Sequence, residues 1–265
     1  MPLRVVVFGA HPDDDEIKAG GTSALWARRG DEVLFVSLSD GSAGHQHPGP
    51  ELARRRRHEA EAAAAVLGTR SLVLDHPDGA LEPTLALRAE VVAIIRRARA
   101  DLVLLPRPWD YHPDHRATAH VVQDAAYMVT VPAVVPEVPH LHANPVFAYV
   151  WDPFTRPCPL VPDVAVDISD VLETKLQALH QHASQVYEWL PYNSGTLASV
   201  PAGEVERRQW LRHWLERDRQ AALEQRPLLE ALGSGAATHA ELFEICELGR
   251  RPGPDELRRL FPLPA

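Results

Sequence analysis

Five short apolar runs, at residues 3–8, 33–38, 72–74, 102–105 and 146–150, alternate with segments whose apolar residues recur at helical spacing. Runs that are apolar throughout are buried on both faces, and their alternation with helices predicts a parallel α/β sheet. Helices are expected at 17–29, 51–67, 86–99 and 114–129, the second closed by Gly68 as a C-terminal cap. After Val150 a proline-rich stretch leads to a short strand at 164–168, a helix from Asp170 to Val186 and a charged helix over 203–232, with a flexible patch at 233–237. The expectation is a Rossmann-like, doubly wound, mostly parallel α/β sheet. It forms a single domain over 1–265, with a core at 1–150 and a C-terminal strand and helical extension at 151–265.

Two polar clusters sit where strands should empty into helices. Ala10-His11-Pro12-Asp13-Asp14-Asp15-Glu16 follows the first run, and His112-Pro113-Asp114-His115 follows the fourth. Pro12 and Pro113 each suit a first helical position, where a missing N–H is harmless. Both clusters therefore fall on the sheet edge where open α/β folds bind ligands. A catalytic zinc site keeps three His or carboxylate ligands and one open position, and His11, Asp14 and His115 can supply that set. Asp13 is then free to accept a proton from water, and His112 with Asp114 can donate to a developing oxyanion or leaving group. Either cluster alone reads more readily as an acidic helix start, and the two together favour a site. The acidic run lacks the Gly and Glu positions of an EF-hand loop, and four adjacent carboxylates repel one another unless a cation is near.

Composition narrows the partners. A formal net charge of −9 gives no electrostatic reason to bind nucleic acid or anionic membrane, so a small polar molecule is the expected ligand. The two cysteines, Cys158 and Cys246, form no Cys-x-x-Cys pair, which fits a reducing compartment. No signal-like N-terminus is present, and no window approaches the roughly 18–20 apolar residues of a membrane span. The expectation is a soluble cytoplasmic protein.

Taken with further motifs, the chain resembles the PIG-L/LmbE-like family of N-acetylglucosaminyl deacetylases, which includes those of mycothiol and bacillithiol biosynthesis. The motifs are Ala10 to Asp14 with Gly20-Gly21-Thr22, Ser39 to Gly44, Arg56 and Glu59 before Leu67-Gly68, Pro77-Asp78-Gly79, and His112 to His115. Val166 to Ser169 with Lys175, Ser184-Gln185, and Ala240 to Phe243 complete the set. The resemblance implies that His11, Asp14 and His115 hold one Zn2+, that Asp13 is the general base, and that His112 polarises the carbonyl while Asp114 orients its ring. One departure is Asp15, where many members carry Glu. The implied reaction is hydrolysis of an N-acetyl group from an amino sugar, with a homo-oligomer as a candidate assembly because relatives often assemble.

Four residues are candidate substrate contacts. Arg56 lies on the helix face of Ala60, Ala63, Ala64 and Leu67, where a cation needs a partner, and the resemblance points to a sugar hydroxyl. Asp40 and Asp78 could bond hydroxyls or simply cap Asp-Gly turns. Trp109 could stack on a sugar or pack. Competing readings are a metal-dependent amidohydrolase acting on a non-sugar amide, and a non-catalytic sugar-binding protein. A nucleotide-binding module is disfavoured because Gly9-Ala10-His11 offers no glycine-rich phosphate loop.

Overall fold

The computed structural model describes residues 2–264. Seven strands form one sheet: β1 (Arg4–Gly9), β2 (Glu32–Ser39), β3 (Arg70–His76), β4 (Leu102–Leu105), β5 (Val146–Val150), β6 (Val164–Asp167) and β7 (Ala240–Cys246). Their order is β3-β2-β1-β4-β5-β7-β6. The first five are parallel, and β7 runs antiparallel to both its neighbours. The mostly parallel α/β sheet expected from the sequence is therefore what forms.

Alternate residues of β1 feed opposite cores, as the two-residue period of a strand requires. Val5 and Val7 join Trp26, Ala63, Leu67 and Phe243 on one side, and Val6 and Phe8 join Val91, Ile95, Val121 and Val122 on the other. Helices α1 (Asp14–Arg29), α2 (Pro50–Leu67) and α5 (Leu172–Gln181) pack together, while α3 (Leu85–Ala98) pairs with α4 (Pro113–Met128). The order reverses between β1 and β4, and both polar clusters lie at the C-terminal ends of those strands, the position that α/β sheets use for ligands.

The helix limits show local physics at work. Gly68 closes α2 in the left-handed region at φ 74°. Pro113 opens α4 as expected, but Pro12 does not open α1. The Asp14 carboxylate accepts from the Ala10 and His11 N–H groups at 2.9 Å each, so the chain makes a tight turn first and the helix begins at Asp14.

The C-terminal part departs more. The helix expected to reach Val186 stops at Gln181 and resumes as a π-helical turn, Ser184–Trp189. The charged helix over 203–232 is broken into short pieces, among them Glu216–Glu224 and Arg226–Ala231. β7 was not expected, because Glu241 and Glu244 interrupt its apolar run. Among the described residues no helix is long and apolar enough to cross a membrane.

Candidate metal centre

His11 leaves the end of β1, Asp14 opens α1, and His115 lies in the first turn of α4. Their donor atoms converge. His11 Nδ1 is 3.5 Å from Asp14 Oδ2, His115 Nε2 is 3.4 Å from Asp14 Oδ1, and the two ring nitrogens are 3.3 Å apart. A tetrahedral ion with bonds of about 2.0–2.1 Å separates its ligands by about 3.3–3.4 Å. The three groups lie close enough to hold one small divalent cation, Asp14 facing His11 through one carboxylate oxygen and His115 through the other, and His112 with His11 and His115 forms an alternative set beside them.

The far side of each imidazole strengthens that fit. His11 Nε2 meets Asp78 Oδ1 at 3.1 Å and Asp114 Oδ2 at 3.3 Å, and His115 Nδ1 meets Asp110 Oδ1 at 3.1 Å. Metal-binding histidines have this arrangement, one nitrogen turned to the ion and the other fixed by a carboxylate. Burial pushes the His11 pKa down, but Asp114, Asp14 and Asp78 outweigh it and raise it well above the ordinary value. His115 is likewise raised to about 9, burial being overcome by Asp14 and Asp110.

Asp13 is buried beside this centre without belonging to it. Arg56, only 2% exposed, bonds Asp13 Oδ1 at 3.0 Å and lies 3.7 Å from Asp78. Burial raises the Asp13 carboxyl to about 6, against the opposing pull of Arg56. His112 caps α4: its Nδ1 accepts the Asp114 N–H at 3.2 Å. In the neutral ring that leaves the proton on Nε2. Burial, with His11 and His115 close by, lowers the His112 pKa and favours the neutral form.

Several expected roles meet different surroundings. The Asp114 carboxylate does not orient the His112 ring. It is fully buried against His11 and accepts from the Gly79 and Leu81 N–H groups at 2.7 and 3.2 Å. Asp78 ties the loop over the site, accepting from the Ala43 and Gly44 N–H groups at 3.0 Å each. Asp40 is a turn residue whose Oδ1 accepts from the Ser42 and Asp78 N–H groups at 2.9 and 3.3 Å, which holds it outside the site cavity. Trp109 is 44% exposed and also outside; Tyr111, two residues on and equally able to stack on a sugar, reaches the cavity.

That cavity, of about 380 Å³, carries Tyr111, Phe154, Trp189 and Trp214 on its walls, with Gln185, Lys18 and Arg217. Sequence reading did not single out Asp110, Lys18 or Arg217 as site residues. Asp110 is five positions before His115, a spacing that belongs to no ligand motif, and Lys18 and Arg217 come from segments that meet only in the fold.

Residues 6–126 match the family described as PIG-L: GlcNAc-PI de-N-acetylase. A diacetylchitobiose deacetylase of Thermococcus kodakarensis is 34% identical over 207 residues, which cover 71% of this chain and 74% of that one. A 4-oxalmesaconate hydratase of Pseudomonas putida is 29% identical over 199 residues, covering 71% and 76%. The solved structure of N,N'-diacetylchitobiose deacetylase from Pyrococcus horikoshii, complexed with an inhibitor, superposes with a TM-score of 0.70 at 25% identity, over 92% of this chain and 84% of that one.

Proposed function

This chain belongs to the PIG-L family, and from that premise we propose that it is a zinc-dependent hydrolase removing the N-acetyl group of an N-acetylglucosamine-type amino sugar. The observation that carries the reading is the pair of two-sided histidines, His11 and His115, whose inner nitrogens meet Asp14 and whose outer nitrogens rest on carboxylates. His11, Asp14 and His115 would hold the ion. When bound, it supplies Lewis acidity that makes water a better nucleophile near neutral pH and stabilises developing negative charge.

The remaining steps belong to side chains. Asp13, with its pKa drawn up to about 6, takes a proton from the water that attacks the acetamide carbon. Arg56 holds that carboxylate in place through the 3.0 Å contact, so it serves the base rather than a sugar hydroxyl. His112 donates its Nε2 proton as a hydrogen bond to the oxyanion of the tetrahedral intermediate. The C–N bond then breaks, the proton on Asp13 passes to the departing nitrogen, and acetate and a free amine result. Asp114 acts on His11 from behind, which makes it a positioning residue.

The test is metal analysis of the purified protein together with a fluorescent primary-amine assay over N-acetylglucosaminides, non-sugar acetamides and an unsaturated dicarboxylate. Amine release from the glucosaminides, abolished by chelation and restored by zinc, is the expected result. Release from non-sugar amides alone would move the reading to a general amidohydrolase. Hydration of the dicarboxylate without amine release would overturn it in favour of the chemistry named for the Pseudomonas relative.

A further inference from the structure

The site cavity is also lined by two basic side chains, Lys18 and Arg217, that the proposed reaction does not use. Lys18 lies one turn beyond Asp14 on α1, about 6 Å along the helix axis. Arg217 comes from the helix Glu216–Glu224, near the other end of the chain, and lines the same cavity. The Arg217 guanidinium lies over the Trp151 ring at 5.1 Å, and its Nε is buried without a hydrogen-bond partner. Among the described residues its one carboxylate neighbour is Asp218, at 3.6 Å, and that carboxylate is already bonded by Lys175 at 2.6 Å. Among the described residues Lys18 Nζ bonds only the Trp151 carbonyl, at 3.3 Å.

The acidic groups nearby are committed elsewhere. Asp14 and Asp110 serve the histidines, and Asp152 is held by Arg107 at 2.8 and 3.1 Å. Burial and the nearby Arg217 push Lys18 down to about 8, against the opposing pull of Asp14, Asp110 and Asp152. Trp214 adds another buried N–H without a partner on the same cavity. Lysine, arginine and the indole nitrogen are donors only. Donors whose neighbouring carboxylates are engaged elsewhere are satisfied by a ligand group that brings negative charge and several acceptor oxygens.

We propose that Lys18 and Arg217 form a second subsite that binds a carboxylate or phosphate carried on the group attached to the amino sugar. This rests on the deacetylase reading and narrows it to acidic glycoconjugates. Among the described residues neither side chain is bonded to His11, Asp13, Asp14 or His115, so the subsite governs which substrate is held, and its effect falls mainly on KM.

The experiment compares kcat/KM for three N-acetylglucosaminides, one with a neutral aglycone, one with a carboxylate and one with a phosphate. The native enzyme should prefer an acidic aglycone, and the stronger of the two acidic arms identifies the anion. Added salt should shrink the preference, since screening weakens charge pairing. Arg217→Gln and Lys18→Met should each reduce the acidic-to-neutral ratio by roughly ten- to a hundred-fold through KM, the loss of one charge-assisted hydrogen bond. Arg217→Lys should recover part of it. Thermal melts identify any variant that fails to fold, in which case the other carries the test. Equal turnover of neutral and acidic substrates by the native enzyme overturns the subsite and leaves the deacetylase reading standing, as does a ratio unmoved in the folded variants. No amine release from any of the three removes the parent reading and this one with it.

Discussion

Asp13 adopts φ 155° and ψ −22°, a backbone conformation that disfavours a side chain, and Arg56 grips its carboxylate from α2. Such strain persists where the surroundings over-determine it. Asp13→Asn keeps the shape and removes the proton acceptor. Turnover should therefore fall by about 10²- to 10⁴-fold with metal content retained. Steady-state kinetics beside elemental analysis check this, and a retained rate or a lost metal would contradict the assigned role. The ligands make a separate prediction. His11 and His115 both have raised pKa values, the latter near 9, because buried carboxylates face them. Protons and a divalent cation compete for the same ring nitrogens. Metal affinity should then rise with pH, by about tenfold per unit for each proton released, and level off above the raised pKa values. Calorimetric titration in buffers of different ionisation enthalpy counts the protons, and a pH-independent affinity would refute the arrangement. At this scale His11, Asp14 and His115 were legible because each lies in a dense cluster at a strand end. Asp110 and Arg217 were not, since their meaning lies in which side chain they face.

Helix α1 carries Gly20-Gly21-Thr22 in its middle, which local propensity alone does not explain. A Cβ at Gly21 would sit 2.8 Å from the Ile168 side chain, and Glu241 accepts from the Gly21 and Thr22 N–H groups at 2.9 and 2.7 Å. The glycine is thus a packing requirement. Gly21→Ala should destabilise by about 1–3 kcal/mol even though alanine is the better helix former. Adding Ile168→Ala should give less than the sum of the two single losses, because the clash is shared. Urea unfolding measures both, and strict additivity would refute the clash. Similar long-range contacts decide where α5 ends. His182 is buried beside Glu16 at 3.3 Å, and Glu59 takes the Ser184 N–H at 3.0 Å. The apolar period continues through this point, which is why a helix to Val186 was expected. The partners that interrupt it come from α1 and α2, so local pattern could not disclose them.

The first five strands and four helices could be read from periodicity because each carries its own uninterrupted apolar pattern. β7 could not, because it depends on a partner far along the chain. Glu241, 3% exposed within that strand, is tolerated only through Lys175 at 2.7 Å and the α1 amides. Lys175, itself 1% exposed, also bonds Asp218 at 2.6 Å, so one ammonium joins α5, β7, the helix Glu216–Glu224 and, through Glu241, α1. Lys175→Met leaves two buried carboxylates without their cation and should cost about 3–5 kcal/mol. A further Glu241→Gln should return part of that loss, since it removes one of the stranded charges. The form of the unfolding curve matters more than its midpoint. β7 lies between β5 and β6 and, among the described residues, is the one sheet partner of β6, so the C-terminal third leaves only by breaking the β5–β7 pairing. A single domain over the whole chain therefore requires Lys175→Met to shift one cooperative transition, with far- and near-ultraviolet circular dichroism coincident. Two separated transitions, the earlier one sparing metal binding, would show instead that residues beyond 150 form a unit of their own.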